Sequence, residues 1–331
     1  MRFFAHAHFD FIGNRYKAYV LSAAAIGLGI AFALAWQLQR GSWLNYGVDF
    51  TGGTLVQVRF EQPTSVGELR GVVAPAFPGS EITRFGGENE FLVRAPGFEG
   101  DAAKVSDQVV ARLRGGLPGR EFSVARTEAV GPKIGGELQQ KAVLAIIFSF
   151  AVTLIYLALR FEWRFGVAAI IATLHDILIT LGLLAALQLE VSLPTVAAVL
   201  TIIGYSLNDT IIVFDRVREN LHRTGRREAF FDTLNRSINE TLPRTTLTAG
   251  TTLAALLSLF LFGGAIIRDF ALILIVGIAV GTFSSIFVAS PALLEIEKRW
   301  PRPTKTGKPR SAASSVRTAT MPGTARKPAR G

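Results

Sequence analysis

Long apolar segments alternate with short charged ones along most of this chain. Each apolar segment is close to the roughly 20 residues that an α-helix needs to cross a bilayer. The pattern therefore predicts six membrane-spanning helices, of which the first covers residues 18–38 and the other five lie within residues 141–297. Those five are Ala142–Leu159, Phe165–Leu189, Leu193–Phe214, Leu242–Phe262 and Phe270–Leu294.

The first apolar segment has a second interpretation, as a cleaved signal peptide. Arg15 and Lys17 precede it, and Ala33-Leu34-Ala35 resembles a cleavage site. The segment is long enough to span, however, and small residues recur at every fourth position, namely Ala23, Gly27, Ala31 and Ala35. Such a stripe favours the close approach of a second helix. We therefore expect a spanning helix.

Residues 39–140 have a different pattern. Thr54 to Phe60 alternates between apolar and polar positions with period two, which is typical of a strand. Ser65 and Glu68 form a capping box before a helical stretch, and Asp101 can cap a second helix. Further strands are predicted at 82–85, 91–95 and 121–130. The order βαββαβ predicts a ferredoxin-like α+β domain, a fold that is too common to indicate function.

Composition agrees with a multi-span membrane protein: of 331 residues, 50% are hydrophobic, and the mean hydropathy is +0.37. The formal net charge of +10 lies mostly in the tail, residues 298–331. We expect this tail to be disordered and attracted to anionic lipid, with no nucleic-acid partner. Cysteine is absent, which excludes disulfides and thiolate metal sites.

Positive charge is unevenly distributed between the loops. The loops near Glu190 and Asp269 carry almost none, whereas the alternate loops are rich in arginine. By the positive-inside rule, both termini (1–17 and 298–331) are cytoplasmic and the α+β domain is external. The arginines that decide the orientation are Arg160, Arg164, Arg216, Arg218, Arg223, Arg226, Arg227 and Arg236.

Asp209 is the most informative polar residue, because it lies inside an apolar segment. A carboxylate within the bilayer costs roughly 2.5–3.5 kcal/mol on insertion scales, so such a residue is by default functional. Arg244 opens the next span at a similar depth and would favour the charged carboxylate. Other polar residues within the spans are Asn208, Thr210, Thr248, His175 and Asp176. This composition predicts a proton relay, in which hydroxyls such as that of Ser206 bridge waters.

Structural interpretations of the same residues remain open. Arg244 could extend to the membrane surface, Asp209 could be a static interhelical partner, and His175-Asp176 could be a structural pair. The stripe Gly277, Gly281, Ser285 and Ala289 is explained by helix packing alone. We interpret a charged group after the Asp209 span as an interfacial cluster that ends the helix and anchors its depth: Asp215, Arg216, Arg218 and Glu219.

Motifs for other chemistry are missing from the sequence. The glycine-rich stretches have no following lysine and no P-loop spacing, so nothing indicates nucleotide hydrolysis. His6 and His8 are two residues apart but have no acidic companion for a metal. We therefore expect no enzymatic activity, no metal and no cofactor, with protons as the coupling ion.

Two motifs carry a family resemblance. Gly47-Val48-Asp49-Phe50-Thr51-Gly52-Gly53 follows the first span, and residues 204–220 include Asn208-Asp209-Thr210 and run into Asp215-Arg216-Val217-Arg218-Glu219-Asn220. Together they resemble the SecD/SecF family of bacterial protein-export membrane proteins, within the resistance-nodulation-division superfamily. The resemblance implies an inner-membrane location and a twelve-helix pseudo-symmetric bundle. In that bundle a partner, SecD, supplies the other six helices, and the complex associates with the SecYEG channel and YajC.

The resemblance also implies an activity. The proton-motive force would help to pull unfolded preproteins out on the periplasmic side, with Asp209 and Arg244 on a proton path completed by an aspartate of SecD. The external domain would move on hinges, for which the candidates are Gly47, Asp49, Gly52, Gly53, Gly131 and Pro132. The alternatives are half of a proton-driven small-molecule or lipid exporter of the same superfamily, and a passive scaffold.

Overall fold

The protein is described here by a computed structural model, which covers residues 8–96, 102–224 and 228–301. Within these residues, six helical segments are long and apolar enough to cross a bilayer, as predicted. They are α1 (Arg15–Arg40), α5 (Pro132–Arg160), α6 (Trp163–Leu187), α7 (Leu193–Thr224), α8 (Phe230–Phe262) and a last segment built from α9 (Ala265–Ser284), a π-helical turn (Ser285–Ala289) and α10 (Ser290–Arg299).

The shorter elements lie between α1 and α5, apart from one strand. They are β1 (Asn45–Tyr46), α2 (Val48–Thr51), β2 (Gly53–Phe60), α3 (Val66–Val73), β3 (Glu81–Arg84), β4 (Glu90–Ala95), α4 (Ala102–Gly116) and β5 (Phe122–Val130), with β6 (Glu190–Val191) between α6 and α7. From β2 onward this is the predicted βαββαβ order. The expected cap at Asp101 lies outside the described residues.

The α+β domain is built on one antiparallel sheet of strand order β3-β4-β2-β5. Its central pair is in register from Thr54 opposite Ala95 to Arg59 opposite Glu90. Val56, Val58 and Phe91 point to the face that α3 and α4 cover, and all three are fully buried. This is the ferredoxin-like arrangement. The capping box forms as predicted, because the Ser65 hydroxyl accepts from the Glu68 amide and the Glu68 carboxylate accepts from the Ser65 amide.

Close helix contacts in the bundle depend on small residues. Gly29 of α1 lies against Gly182 of α6 so closely that a Cβ on Gly29 would be 2.7 Å from the Gly182 Cα. The small-residue stripe predicted for α1 does not make this contact. Ala23 and Gly27 from that stripe are exposed, while the buried residues of α1 are Ala18, Ser22 and Gly29. The four-residue period correctly identified a face of α1 with small side chains, but the close contact with α6 is made elsewhere, where Gly29 faces Gly182.

Two helices extend well beyond the predicted spans. The charged cluster does not end α7 as expected, since the helix continues through it to Thr224, and α8 begins at Phe230 with Pro243 inside it. Side-chain contacts hold these extensions together. Arg216 forms an ion pair of 2.6 Å with Glu240, and Asn220 donates a hydrogen bond of 3.0 Å to Ser237. The two helices therefore form a hairpin at the bundle end opposite the α+β domain, which we call the far end.

Candidate functional site

His175 and Asp176 of α6 are buried at the centre of a hydrogen-bond network. The Asp176 carboxylate accepts from the Ser206 hydroxyl at 2.5 Å and from the Ser284 hydroxyl at 2.8 Å. His175 Nδ1 is 2.9 Å from the same carboxylate, and its Nε2 is 2.9 Å from the Ser22 hydroxyl. The pair therefore joins α6 to α1, α7 and α9. A network whose members all have partners gives a unique and rigid arrangement.

The Asp209 carboxylate of α7, unlike that of Asp176, is not fully hydrogen-bonded within the part of the chain that the structure describes. Its side chain is only 2% exposed, yet its Oδ2 atom has no hydrogen-bond partner among the described residues. Two hydroxyls on neighbouring helices, those of Thr282 on α9 and Thr245 on α8, are also buried without a partner in the described part of the chain. The Thr282 hydroxyl is near enough to act on the carboxylate, but the pair is not aligned as a hydrogen bond.

An incompletely bonded buried carboxylate is costly, since the desolvated charge has nothing to replace its water. It is relieved by binding a proton, or by pairing with a cation. The cation that acts on Asp209 is Arg244 of α8. This arrangement can bind and release a proton when the distance between the two groups changes.

The register of α7 and α8 explains why Arg244 is in reach. These helices are antiparallel, and the ion pair of Arg216 with Glu240 and the hydrogen bond of 3.4 Å from Tyr205 to Thr252 fix their alignment. Asp209 then lies level with a point near Thr248, one helical turn from Arg244. Arg244 and Asn208 are on the exposed side of the helix pair, whereas Asp209 and Thr210 are buried.

Two predicted relay hydroxyls differ from expectation. The Thr248 hydroxyl donates to the carbonyl of Arg244 in its own helix at 2.9 Å, so it does not face Asp209 as a bridge. The Ser206 hydroxyl is committed to Asp176. The bond that Thr248 makes, to a carbonyl one turn earlier in its own helix, is common for threonine and serine and satisfies the hydroxyl without an interhelical partner.

Sequence reasoning missed Ser22, Thr282 and Ser284. The one available signal was the small-residue stripe on the last span, to which we assigned no chemistry. A Cβ on Gly281 would be 2.9 Å from the Ser206 Cβ, so this glycine lets α9 approach α7 beside the network. The close approach places Thr282 and Ser284 where they meet Asp209 and Asp176.

The charged cluster joins three helices at the far end. Arg160 of α5 donates to both carboxylate oxygens of Asp215, at 2.9 and 3.0 Å. Arg216 pairs with Glu219 at 2.6 Å as well as with Glu240, and Arg218 donates to the Arg160 carbonyl. Such a cluster fixes the depth of α7, although the anchoring role itself stays a prediction.

The predicted hinge residues lie where the α+β domain meets the bundle. Gly52 and Gly53 have positive φ values of 71° and 119°, which favour glycine, as the chain turns from α2 into β2. Asp49 accepts a hydrogen bond from the Leu193 amide at 2.9 Å. On the other side, Gly131 directly precedes α5, which begins at Pro132. The hinge role is untested by these contacts and stays a prediction.

Comparison with known proteins gives consistent matches. Residues 116–299 match the family model described as "Protein export membrane protein SecD/SecF, C-terminal", and residues 41–64 match the "SecD/SecF GG Motif". "Protein translocase subunit SecF" of Gemmatimonas aurantiaca is 43% identical over 100% of both chains. The subunit of the same name from Desulfurispirillum indicum is 44% identical, covering 87% of this chain and 92% of its own.

A solved structure also matches. The crystal structure of SecDF, a translocon-associated membrane protein from Thermus thermophilus, superposes with a TM-score of 0.78 at 39% identity. The match covers 90% of this chain but 40% of the SecDF chain. This chain is thus similar to one part of a longer protein in that organism.

Proposed function

Because this chain belongs to the SecF family of protein translocase subunits, we propose that it couples the proton-motive force to preprotein translocation and release on the periplasmic side. Its relatives are named as the protein translocase subunits SecF and SecDF, which supports an auxiliary role in Sec protein export. The observation that carries the coupling role is the Asp209 carboxylate, which is buried with one oxygen unpartnered among the described residues and with Arg244 in electrostatic reach.

The energy available to such a site is sufficient for a conformational change. One elementary charge that crosses 100 mV is worth about 2.3 kcal/mol. That amount shifts a two-state equilibrium by more than tenfold. Protonation would remove the attraction between Asp209 and Arg244, and deprotonation would restore it. The relative positions of α7 and α8 would therefore follow the proton.

The proposed orientation rests on the arginines. Arg160, Arg164 and Arg216 lie at the far end of the bundle, and the end near the α+β domain carries fewer positive charges. The positive-inside rule supports a bacterial inner-membrane protein with both termini cytoplasmic and the α+β domain in the periplasm. The basic tail would then face anionic lipid, although residues 302–331 lie outside the described part.

The proposed partner within the membrane is SecD. Asn208 and Arg244 are exposed on the α7–α8 surface, and Gly204 is exposed one turn before Asn208. Polar groups in a membrane span need protein or water around them, which six helices of SecD in a twelve-helix bundle would supply. We further propose association with SecYEG, YajC and the translocating preprotein, with protons as the coupling ion and no other cofactor.

The test is a secretion assay with inner-membrane vesicles that contain SecD and either the wild-type chain or Asp209→Asn. We expect the variant to co-purify with SecD but to lose the stimulation of preprotein translocation by the proton gradient. Asp232→Asn, which changes an exposed aspartate of α8, is the matched control and should keep it. Normal stimulation with Asp209→Asn would refute the relay.

The exporter alternative would instead require small-molecule or lipid accumulation with secretion intact, and the names of the relatives do not favour it.

A further inference from the structure

The junction between the periplasmic domain and α7 contains a contact whose role the proposed proton path leaves unexplained. Asp49 lies in α2, and its Oδ2 accepts a hydrogen bond of 2.9 Å from the amide of Leu193, the first residue of α7. The amides of a first helical turn have no partner within the helix. A carboxylate there also interacts favourably with the positive end of the helix dipole. Asp49 therefore attaches α2 directly to α7.

The loop before α7 is tied to the sheet of the periplasmic domain. Asn45 and Tyr46 of β1 pair in parallel with Glu190 and Val191 of β6. Arg94 of the central strand β4 donates to the Tyr46 carbonyl at 3.0 Å and forms an ion pair of 3.1 Å with Glu190. The start of α7 is thus held by β1, by β4 and by α2 at once.

The other side of α2 packs against α5. A Cβ on Gly135 would be 2.9 Å from the Gly52 amide nitrogen and 3.0 Å from the Phe50 carbonyl oxygen. There is no room for a side chain between α2 and α5. Gly52 alone separates α2 from Gly53, the first residue of β2, so no loop lies between the central strand and α2.

From these contacts we propose that Asp49 is a positioning residue, which couples displacement of the periplasmic domain to α7 and so to Asp209. Leu193 and Asp209 are on one uninterrupted helix, about 24 Å apart at 1.5 Å per residue. A shift of the helix start moves the buried carboxylate relative to Arg244. The proposal rests on the proposed proton coupling for its biological meaning, but the mechanical link can be measured without secretion.

The first measurement is hydrogen–deuterium exchange of the peptide that covers residues 192–197, in the complex with SecD. Asp49→Ala should speed exchange roughly five- to tenfold, the equivalent of losing a helix cap. Asp49→Asn keeps an acceptor oxygen and should change it less. Glu88→Gln, in an exposed turn of the same domain, should change nothing. Equal exchange in all four proteins would overturn the attachment.

The second measurement tests the coupling. The chain has no cysteine, so spin labels can be placed on Glu88→Cys in the domain and Leu187→Cys at the domain end of α6. We expect Asp209→Asn, which mimics the protonated residue, to shift the label distance, and Asp49→Ala to abolish that shift. Asp49→Asn keeps an acceptor oxygen, so it should retain the shift in label distance and thereby show that loss of the shift in Asp49→Ala is not a folding defect. A shift that persists with Asp49→Ala, or no shift in the first place, would overturn the proposal.

The two proposals fail in different ways. Suppose that the shift in label distance depends on Asp49 but secretion does not respond to the proton gradient. That result would support the mechanical coupling and refute the proposed function. Proton-dependent secretion that is unaffected by Asp49→Ala would refute the coupling and leave the proposed function in place.

Discussion

The Ser206 hydroxyl of α7 donates a hydrogen bond of 2.5 Å to the Asp176 carboxylate of α6. This bond connects the surroundings of two buried acids, Asp176 and Asp209. Ser206 lies one turn before Asp209 on α7, so the network around Asp176 reaches the neighbourhood of Asp209. Asp176 has every partner it needs, whereas Asp209 Oδ2 has none among the described residues. We infer that Asp176 holds the helices together and that Asp209 exchanges the proton.

The first prediction concerns the structural role of Asp176. Asp176→Ala leaves His175, Ser206 and Ser284 without their acceptor inside the bundle, which should destabilise the protein by roughly 3–5 kcal/mol. Asp176→Asn keeps one acceptor oxygen and should cost less, about 1–3 kcal/mol. Thermal unfolding of the purified SecD complex measures both. Equal stability of the two variants would show that the acceptor oxygen is irrelevant.

The second prediction separates stability from proton coupling at Thr282. Its buried hydroxyl has no hydrogen-bond partner in the described part of the chain, so Thr282→Val should be neutral or slightly stabilising. The same change removes the hydroxyl beside Asp209, and we expect a reduced response of secretion to the proton gradient.

Thr173→Val is the control for that experiment. Thr173 is also a threonine inside the bundle, more fully buried than Thr282, and its hydroxyl donates to the Ala169 carbonyl of its own helix at 3.0 Å. Its replacement should leave proton-dependent secretion unchanged. If both valine variants reduced the response alike, the effect would reflect general packing and not the hydroxyl beside Asp209.

Much of this fold could be predicted because each element repeats a local pattern. Apolar segments of the right length indicated the six spans, and period-two alternation indicated the strands of the α+β domain. The pairing of Asn45 with Glu190 could not be predicted, since it joins two-residue strands that are remote in sequence. The far-end extensions of α7 and α8 were missed because their charged residues pair between the helices, as Arg216 does with Glu240, and not with solvent.

The third prediction tests the contact between α1 and α6. Gly29→Ala places a methyl group 2.7 Å from the Gly182 Cα, where backbone cannot yield cheaply, and should destabilise the protein by about 1–3 kcal/mol. Gly27→Ala adds the same group where no heavy atom lies within 4 Å. It should be neutral or favourable, since alanine prefers helices. Thermal unfolding should therefore rank Gly29→Ala below Gly27→Ala, and the reverse order would contradict the packing.

The fourth prediction is a pH dependence in the α+β domain. Hydrogen bonds from the Ser65 amide and hydroxyl, with Arg120 nearby, hold the pKa of Glu68 below its ordinary value of 4.5. A carboxylate with a lowered pKa stabilises the folded state above its unfolded-state pKa and loses this effect as the pH falls through the folded pKa. We therefore expect α3 to loosen only below about pH 4.5.

Hydrogen exchange of residues 66–73, measured in the complete chain, follows that loosening. Glu68→Gln cannot titrate, so its exchange in these residues should lack the additional acid-induced increase. An increase of the same size in Glu68→Gln as in the wild type would assign the acid sensitivity to another group.

The site was predictable only in part. Asp209 and the His175-Asp176 pair could be found because charged groups are rare within apolar segments. Ser22, Thr282 and Ser284 could not be found, since a hydroxyl in a membrane helix usually bonds its own backbone, as Thr248 does. Thr282 and Ser284 are distinguished by the close approach of α9 to α7 at Gly281, and Ser22 by its contact with His175 across the α1–α6 interface. Both depend on the position of a neighbouring helix, which a small-residue stripe alone does not give.

The last prediction concerns the segment before α1. Asn235 of α8 accepts from the amides of Phe11 and Ile12, at 2.8 and 3.2 Å, and donates to the Phe9 carbonyl at 3.0 Å. Asn239, one turn further along α8, makes two more hydrogen bonds with Phe9, each of 2.9 Å, so the two asparagines together hold this stretch of backbone. Asn235→Ala removes the three bonds of Asn235, leaves those of Asn239, and should speed hydrogen exchange at the amides of Phe11 and Ile12. Asn235→Asp keeps the two accepted bonds and should give an intermediate rate. If Asn235→Asp exchanged as fast as Asn235→Ala, the donated bond to Phe9 would carry the attachment alone, contrary to the geometry, in which two of the three bonds are accepted.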